Sequence, residues 1–165
     1  MMSLLLLVFA VSCGETGREE SVIKSGKADS VLFAVGVVKD YERMLVLVDS
    51  FEAAGDISSL DANRWRGVAY YRQGQYRKSE LYYWKAFESK VKSDEDMLSY
   101  NKVARRLSEL LLVRGDYEGS LRVAIPAVKK MDQTGIGSDI DYAILLNNII
   151  HDINKRVETF FPSRN

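Results

Sequence analysis

Residues Asp61–Phe87, DANRWRGVAYYRQGQYRKSELYYWKAF, decide how the rest of the chain is read. Small and large side chains alternate there at helical spacing on both sides of a glycine. Gly67 and Ala69 leave a shallow notch on a first helix, with Tyr70 beside it. Gly74 marks the end of that helix, because helices commonly close on a left-handed residue and glycine adopts that conformation most cheaply. Tyr76 opens a second helix on which small Ser79, bulky Tyr83 and small Ala86 share one face. The pattern predicts two helices packed back to back across a tight corner.

The corner recurs along the chain. Lys39-Asp40-Tyr41 and Gly115-Asp116-Tyr117 hold the place of Gly74-Gln75-Tyr76, so the tyrosines 41, 76 and 117 are 35 and 41 residues apart. After the third corner, Ser120, Ala124 and Ala127 repeat the spacing of Ser79, Tyr83 and Ala86, with alanine in place of the aromatic. A small residue before an aromatic, a G-x-Y corner and a small–aromatic–small second helix resemble the tetratricopeptide (TPR) repeat, whose period is about 34 residues. Arg66 stands where that family usually has leucine. The longer second interval is taken up by the charged stretch ESKVKSDED at 88–96. The resemblance implies an all-α fold, an α-solenoid of about three TPR-like hairpins finished by a C-terminal closing helix.

Working outward, Asp29-Ser30 is expected to cap a helix through Val38. A second helix follows over Tyr41–Ala54, with Met44, Leu45, Val48 and Phe51 on one side. Residues 55–59 break the chain before the organising stretch. Beyond it, Ser93 or Asp94 starts a helix that sends Leu98, Val103, Leu107, Leu110 and Leu111 to the core. Pro126 falls inside the next helix and is expected to kink it. Gly135 and Gly137 break the chain again. Ser138 or Asp139 then caps an amphipathic helix that carries Ile140, Ala143, Ile144, Leu146, Ile149 and Ile150 and runs to about Phe160. Phe160-Phe161-Pro162 places two aromatics near its end.

The chain has 165 residues, enough for one domain with a modest core, and its two prolines both lie beyond residue 125, which favours helices. Its formal net charge is zero, which gives no support to nucleic-acid binding, since that needs a basic stripe. The apolar run Leu4–Val11 has the length of a signal-peptide core and is too short to span a bilayer. It ends in Ala10-Val11-Ser12-Cys13, which resembles a bacterial lipobox, with Cys13 the only cysteine. The usual leucine is replaced by Ala10, and no Lys or Arg precedes the run. The expected organisation is a signal peptide over 1–12, a flexible tether over 13–27 and a helical repeat domain over 28–165. Cys13 would carry the lipid, and several acyl chains at about 0.8 kcal/mol per buried methylene anchor a protein stably.

Little in the sequence can carry catalysis. His151, the one histidine, sits with Asn147, Asn148 and Asp152 on what reads as the polar side of the last helix. No Cys/His set has metal-ligand spacing, and the phosphate-binding glycine patterns and the nucleophile-elbow pattern are absent. The acids Asp94, Glu95 and Asp96 show no apolar pocket that would tune a catalytic pair. The chain is read as a non-enzyme without metal or cofactor. In an array of this kind, the first helix of each hairpin lines an inner surface. Asp61, Arg64, Val68, Tyr71 and Arg72 are expected there in the second hairpin, and Lys102, Arg105, Glu109 and Leu112 in the third. Arg64, Arg72, Lys102 and Arg105 would make a cationic groove with Tyr71 as its apolar wall, suited to a protein or peptide bearing acidic groups or a free carboxylate. Lys102 and Arg106 also resemble the lysine–arginine pair of carboxylate-clamp TPR domains, although the asparagines of those clamps are missing from the matching positions. The resemblance implies a non-catalytic binding module, exported and held at the cell-envelope membrane. It is also similar to the extracytoplasmic sensor regions of some bacterial signal-transduction proteins, which would make the chain part of a larger sensor.

Overall fold

The computed structural model describes residues 26–160, with side chains described through Glu158. The expected signal peptide, Cys13, nearly all of the expected tether, and Phe161 and Pro162 lie outside the described residues. Those described form seven helices and no strand: α1 (26–37), α2 (Tyr41–Ala54), α3 (Ser59–Arg72), α4 (Tyr76–Phe87), α5 (Asp94–Val113), α6 (Tyr117–Thr134) and α7 (Asp139–Phe160). The fold is all-α. None of these helices is long and apolar enough to cross a membrane.

The three corners read from the sequence share one backbone geometry. Lys39, Gly74 and Gly115 are all left-handed, with φ of 61°, 72° and 83°. At each, the left-handed residue donates its N–H three residues back, to Gly36, Tyr71 and Leu112. The next residue donates five residues back, to Val35, Tyr70 and Leu111. These paired bonds satisfy carbonyls that a helix end leaves open. The N-cap residues that follow, Asp40, Gln75 and Asp116, have φ/ψ of −86°/72°, −85°/62° and −83°/69°. Asp40 and Asp116 also cap with their side chains, to the N–H groups of Arg43 and Gly119. The Gly119 N–H holds the Asp116 carboxyl below its ordinary pKa against the opposing effect of burial, with further help from the Arg114 guanidinium.

Each helix from α2 onward packs on the next, and α3 also packs on α5, and α5 on α7. Two apolar clusters result. One joins Leu32 and Val35 of α1, Met44 and Val48 of α2, and Trp65 and Ala69 of α3. The other runs from Leu60 through Tyr83, Tyr100, Leu107, Val123 and Met131 to Leu145 of α7. Val68 packs against both. The notch at Gly67 is filled by the ring of Tyr83, and a Cβ at Gly67 would lie 2.5 Å from a ring carbon. Ser79 Oγ donates to the Gly67 carbonyl at 2.9 Å, so the α3 and α4 backbones approach closely. Burial pushes the Tyr83 phenol up to about 12.

Several expectations are corrected. α1 is already helical at residue 26, so Asp29 and Ser30 lie within it and cap nothing. Ser30 Oγ instead bonds back to the Gly26 carbonyl at 2.8 Å, and Asp29 reaches across to α3. Leu98 is exposed, and its neighbour Met97 is buried in its place. Ser93 caps α5 through the Asp96 N–H, and the Asp96 carboxylate accepts from Ser58 Oγ at 2.5 Å and from the Lys92 N–H at 3.0 Å, which sets the rotation of the helix. Pro126 does fall inside α6, as expected, and the helix runs on to Thr134. α7 begins at the expected Ser138 cap, yet its inward face is Asp141, Leu145, Asn148 and Asp152. Ile140, Ala143, Leu146 and Ile150 of the expected core face are exposed.

Candidate functional site

The polar residues expected on an inner surface meet each other before they meet solvent. The Arg64 side chain is only 7% exposed; its Nε lies 2.6 Å from Asp61 Oδ1 and its Nη2 2.6 Å from Asp29 Oδ1. Asp61 also accepts from Ser99 Oγ at 2.8 Å, and Asp29 from Trp65 Nε1 at 2.6 Å. This network ties α1, α3 and α5 together and commits the Arg64 guanidinium to two carboxylates, because a buried guanidinium needs them. Arg105 is likewise drawn to α7, with Nε 2.6 Å from Asp141 Oδ1, a close charge contact without hydrogen-bond alignment. Of the expected cations, Arg72 and Lys102 remain exposed without an ion pair among the described residues. Lys102 borders an open cleft of about 380 Å³ with Asp29, Phe33, Arg64 and Trp65.

A larger and more apolar cavity of about 500 Å³ opens where the C-terminal ends of α3 and α5 meet the start of α4. Tyr71 and Tyr76 make one wall, with ring centroids 5.5 Å apart and edge-to-face, and Leu110 and Val113 of α5 make the other. Val113 is 85% exposed and Tyr76 is exposed by more than half. Four of the charges at the rim are paired among themselves. Arg114 Nη1 bonds both carboxylate oxygens of Glu80, at 2.9 and 2.7 Å, and Arg106 Nη1 bonds Glu109 at 2.9 Å. The Arg106 guanidinium also lies 5.9 Å from the Tyr71 ring centroid. Arg77 completes the rim and is exposed. A cavity of this volume with apolar walls and charged groups at its rim has the form of a ligand pocket.

The expected residues are therefore divided. Tyr71 and Glu109 line this cavity and Arg106 flanks it. Arg64, Lys102 and Arg105 lie elsewhere, Arg72 is not among the lining residues, and Val68 is part of the packing between clusters. Tyr76, Arg77, Glu80, Leu110, Val113 and Arg114 were not expected there. An apolar Val113 as the last residue of its helix was the available signal for them.

Ser120, His151 and Asp152 come together between α6 and α7, with His151 Nδ1 3.9 Å from Asp152 Oδ1. Ser120 and Asp152 are fully buried, so no substrate reaches them. Neither Asp152 oxygen has a hydrogen-bond partner among the described residues. Burial pushes its carboxyl pKa up, and the nearby Ser120 and His151 offset this only in part. No group of three or more His, Cys, Asp or Glu among the described residues could hold a metal ion. None of the protein-family models, curated proteins or solved structures compared with the chain matches it.

Proposed function

We propose that the chain is a non-catalytic protein- or peptide-binding module built of TPR-like hairpins, exported and tethered to a bacterial envelope membrane through a lipidated Cys13. The observation that carries the binding reading is the apolar cavity of about 500 Å³ walled by Tyr71, Tyr76, Leu110 and Val113. Its occupant is an aromatic or large aliphatic side chain of an extended peptide segment. Exposed Arg77 at the rim attracts an acidic neighbour on that segment. The TPR-like reading is supported by the shared backbone geometry of the three corners and by their 35- and 41-residue spacing.

Selection from a random peptide library tests the binding reading. Enriched peptides are expected to share an aromatic or large aliphatic residue. Placing a carboxylate on the exposed wall with Val113→Glu should weaken them tenfold or more, a loss of about 1.4 kcal/mol. No enrichment above an unrelated helical protein, or peptides indifferent to Val113→Glu and Tyr71→Ala, would rule the pocket out. The tether is tested by intact mass after expression in a bacterial host. Loss of residues 1–12 with added acyl chains, both absent in Cys13→Ala, is expected; an unprocessed wild-type chain would remove the anchor.

A further inference from the structure

α7 is turned with its polar residues inward. Asp141 faces Arg105, Asn148 Nδ2 donates to Ser108 Oγ at 2.8 Å, and Leu145 and Asp152 are fully buried. The opposite side carries Ala143, Leu146, Ile150, Ile153 and Val157, all exposed, with Ile140 beside them. At 3.6 residues per turn the two rows are centred about 150° apart, so the body of the domain leaves the apolar row open to approach. Its three- and four-residue steps are those of the a and d positions of a heptad seam, two heptads long. An outer helix face that only meets water has no reason to hold that register.

We propose that α7 pairs antiparallel with α7 of a second copy of this chain along this row. A register that sets Ala143 against Ile153 and Leu146 against Ile150 is self-complementary, as a two-fold interface requires. It brings exposed Arg156 of each copy beside exposed Asp139 at the start of α7 in the other, twice by symmetry, and sets the helix dipoles in opposition. Asn147 of each copy flanks the seam and comes beside Asn147 of the other near the axis, where the two amides can bond to each other. The large apolar side chains of the row and Ile140 are 37–70% exposed. Complete burial of these side chains on two copies would cover about 1,000 Å², so with the flanking polar atoms the contact reaches the lower bound for a specific interface. The pairing stands apart from the Tyr71–Val113 cavity and does not depend on peptide binding there.

Sedimentation of the full chain carrying Cys13→Ser tests the pairing. A species of twice the 18.7 kDa chain mass is expected. Ile150→Lys with Ile153→Lys should return it to a monomer with unchanged helical circular dichroism, because both positions are exposed. Asn147→Cys in the same background should cross-link to itself under mild oxidation, while Lys129→Cys on the outer side of α6 should not. A monomer at every concentration would overturn the pairing. So would a dimer that survives both lysines, an Asn147→Cys chain that does not cross-link, or assemblies larger than two copies growing through the exposed Phe33 and Val37 of α1.

Discussion

Gly67→Val is expected to destabilise the chain by about 3 kcal/mol, at the upper end for overpacking a filled core. The Cβ alone would lie 2.5 and 2.6 Å from two ring carbons of Tyr83, a side chain with 1% exposure and no room to move. Valine adds two methyl groups beyond that and is stiff in a helix. The α3–α4 separation cannot widen without stretching the bond from Ser79 Oγ to the Gly67 carbonyl. Gly67→Ala should cost less, since alanine recovers roughly 1 kcal/mol of helix propensity. Urea denaturation measures both, and combining Gly67→Ala with Tyr83→Leu should restore part of the loss because the clash partner is gone. If Gly67→Val lay within about 0.5 kcal/mol of wild type, the range of neutral surface changes, α3 and α4 would not touch where the structure places them.

Asp61→Ala is expected to cost about 3 kcal/mol, the low end for breaking a buried pair, because it leaves the buried Arg64 guanidinium with one of its two carboxylates. Asp29 remains as a partner, but its side chain is 39% exposed, so solvent weakens what it returns. Ser99 Oγ also loses its acceptor. Asp61→Asn keeps an acceptor for Ser99 and removes only the charge, so its cost should fall between alanine and wild type. Replacing Asp61 and Arg64 together with Leu and Met should recover much of the loss, as apolar substitutes often do for a buried pair. Equal stability of Asp61→Ala and wild type by the same denaturation assay would mean that Arg64 reaches solvent.

The local features of this fold could be read from the sequence because each is decided by a few neighbouring residues. The corner at Gly115-Asp116-Tyr117 needs a left-handed residue and a cap, and both are written in three letters. Lys39 shows how far that reading extends, since it takes the left-handed conformation at the first corner with no glycine to mark it. The fit of Tyr83 against Gly67 follows from the small and large pattern of one hairpin.

Features that depend on distant residues were not readable in this way. Hydrophobicity places Ile140, Leu146 and Ile150 inside, but α5 offers Arg105 and Ser108 to that side of α7. Asp141 and Asn148 find their partners there and take the inward face. Asp29 reads as a helix cap until Arg64 and Trp65, 35 and 36 residues on, are seen to claim its carboxylate. Arg64 still borders a cleft with Lys102, but long-range pairing neutralises it, and Arg105 is drawn to Asp141. What remained of the candidate site was Tyr71, with Glu109 and Arg106 beside it. The other wall came from Leu110 and Val113, whose exposure is set by where α5 ends against α4.

The central proposal is that peptides bind in the cavity between α3, α4 and α5, and methyl chemical-shift mapping tests it most directly. A selected peptide is titrated into chain labelled at its Ile, Leu and Val methyl groups. The proposal expects Leu110 and Val113 to shift together and to saturate at one stoichiometry, while Val48 in the first cluster and Ile153 on the outer row of α7 stay in place. Shifts confined to Ile153 and its neighbours, or none at Leu110 and Val113 at saturating peptide, would contradict it.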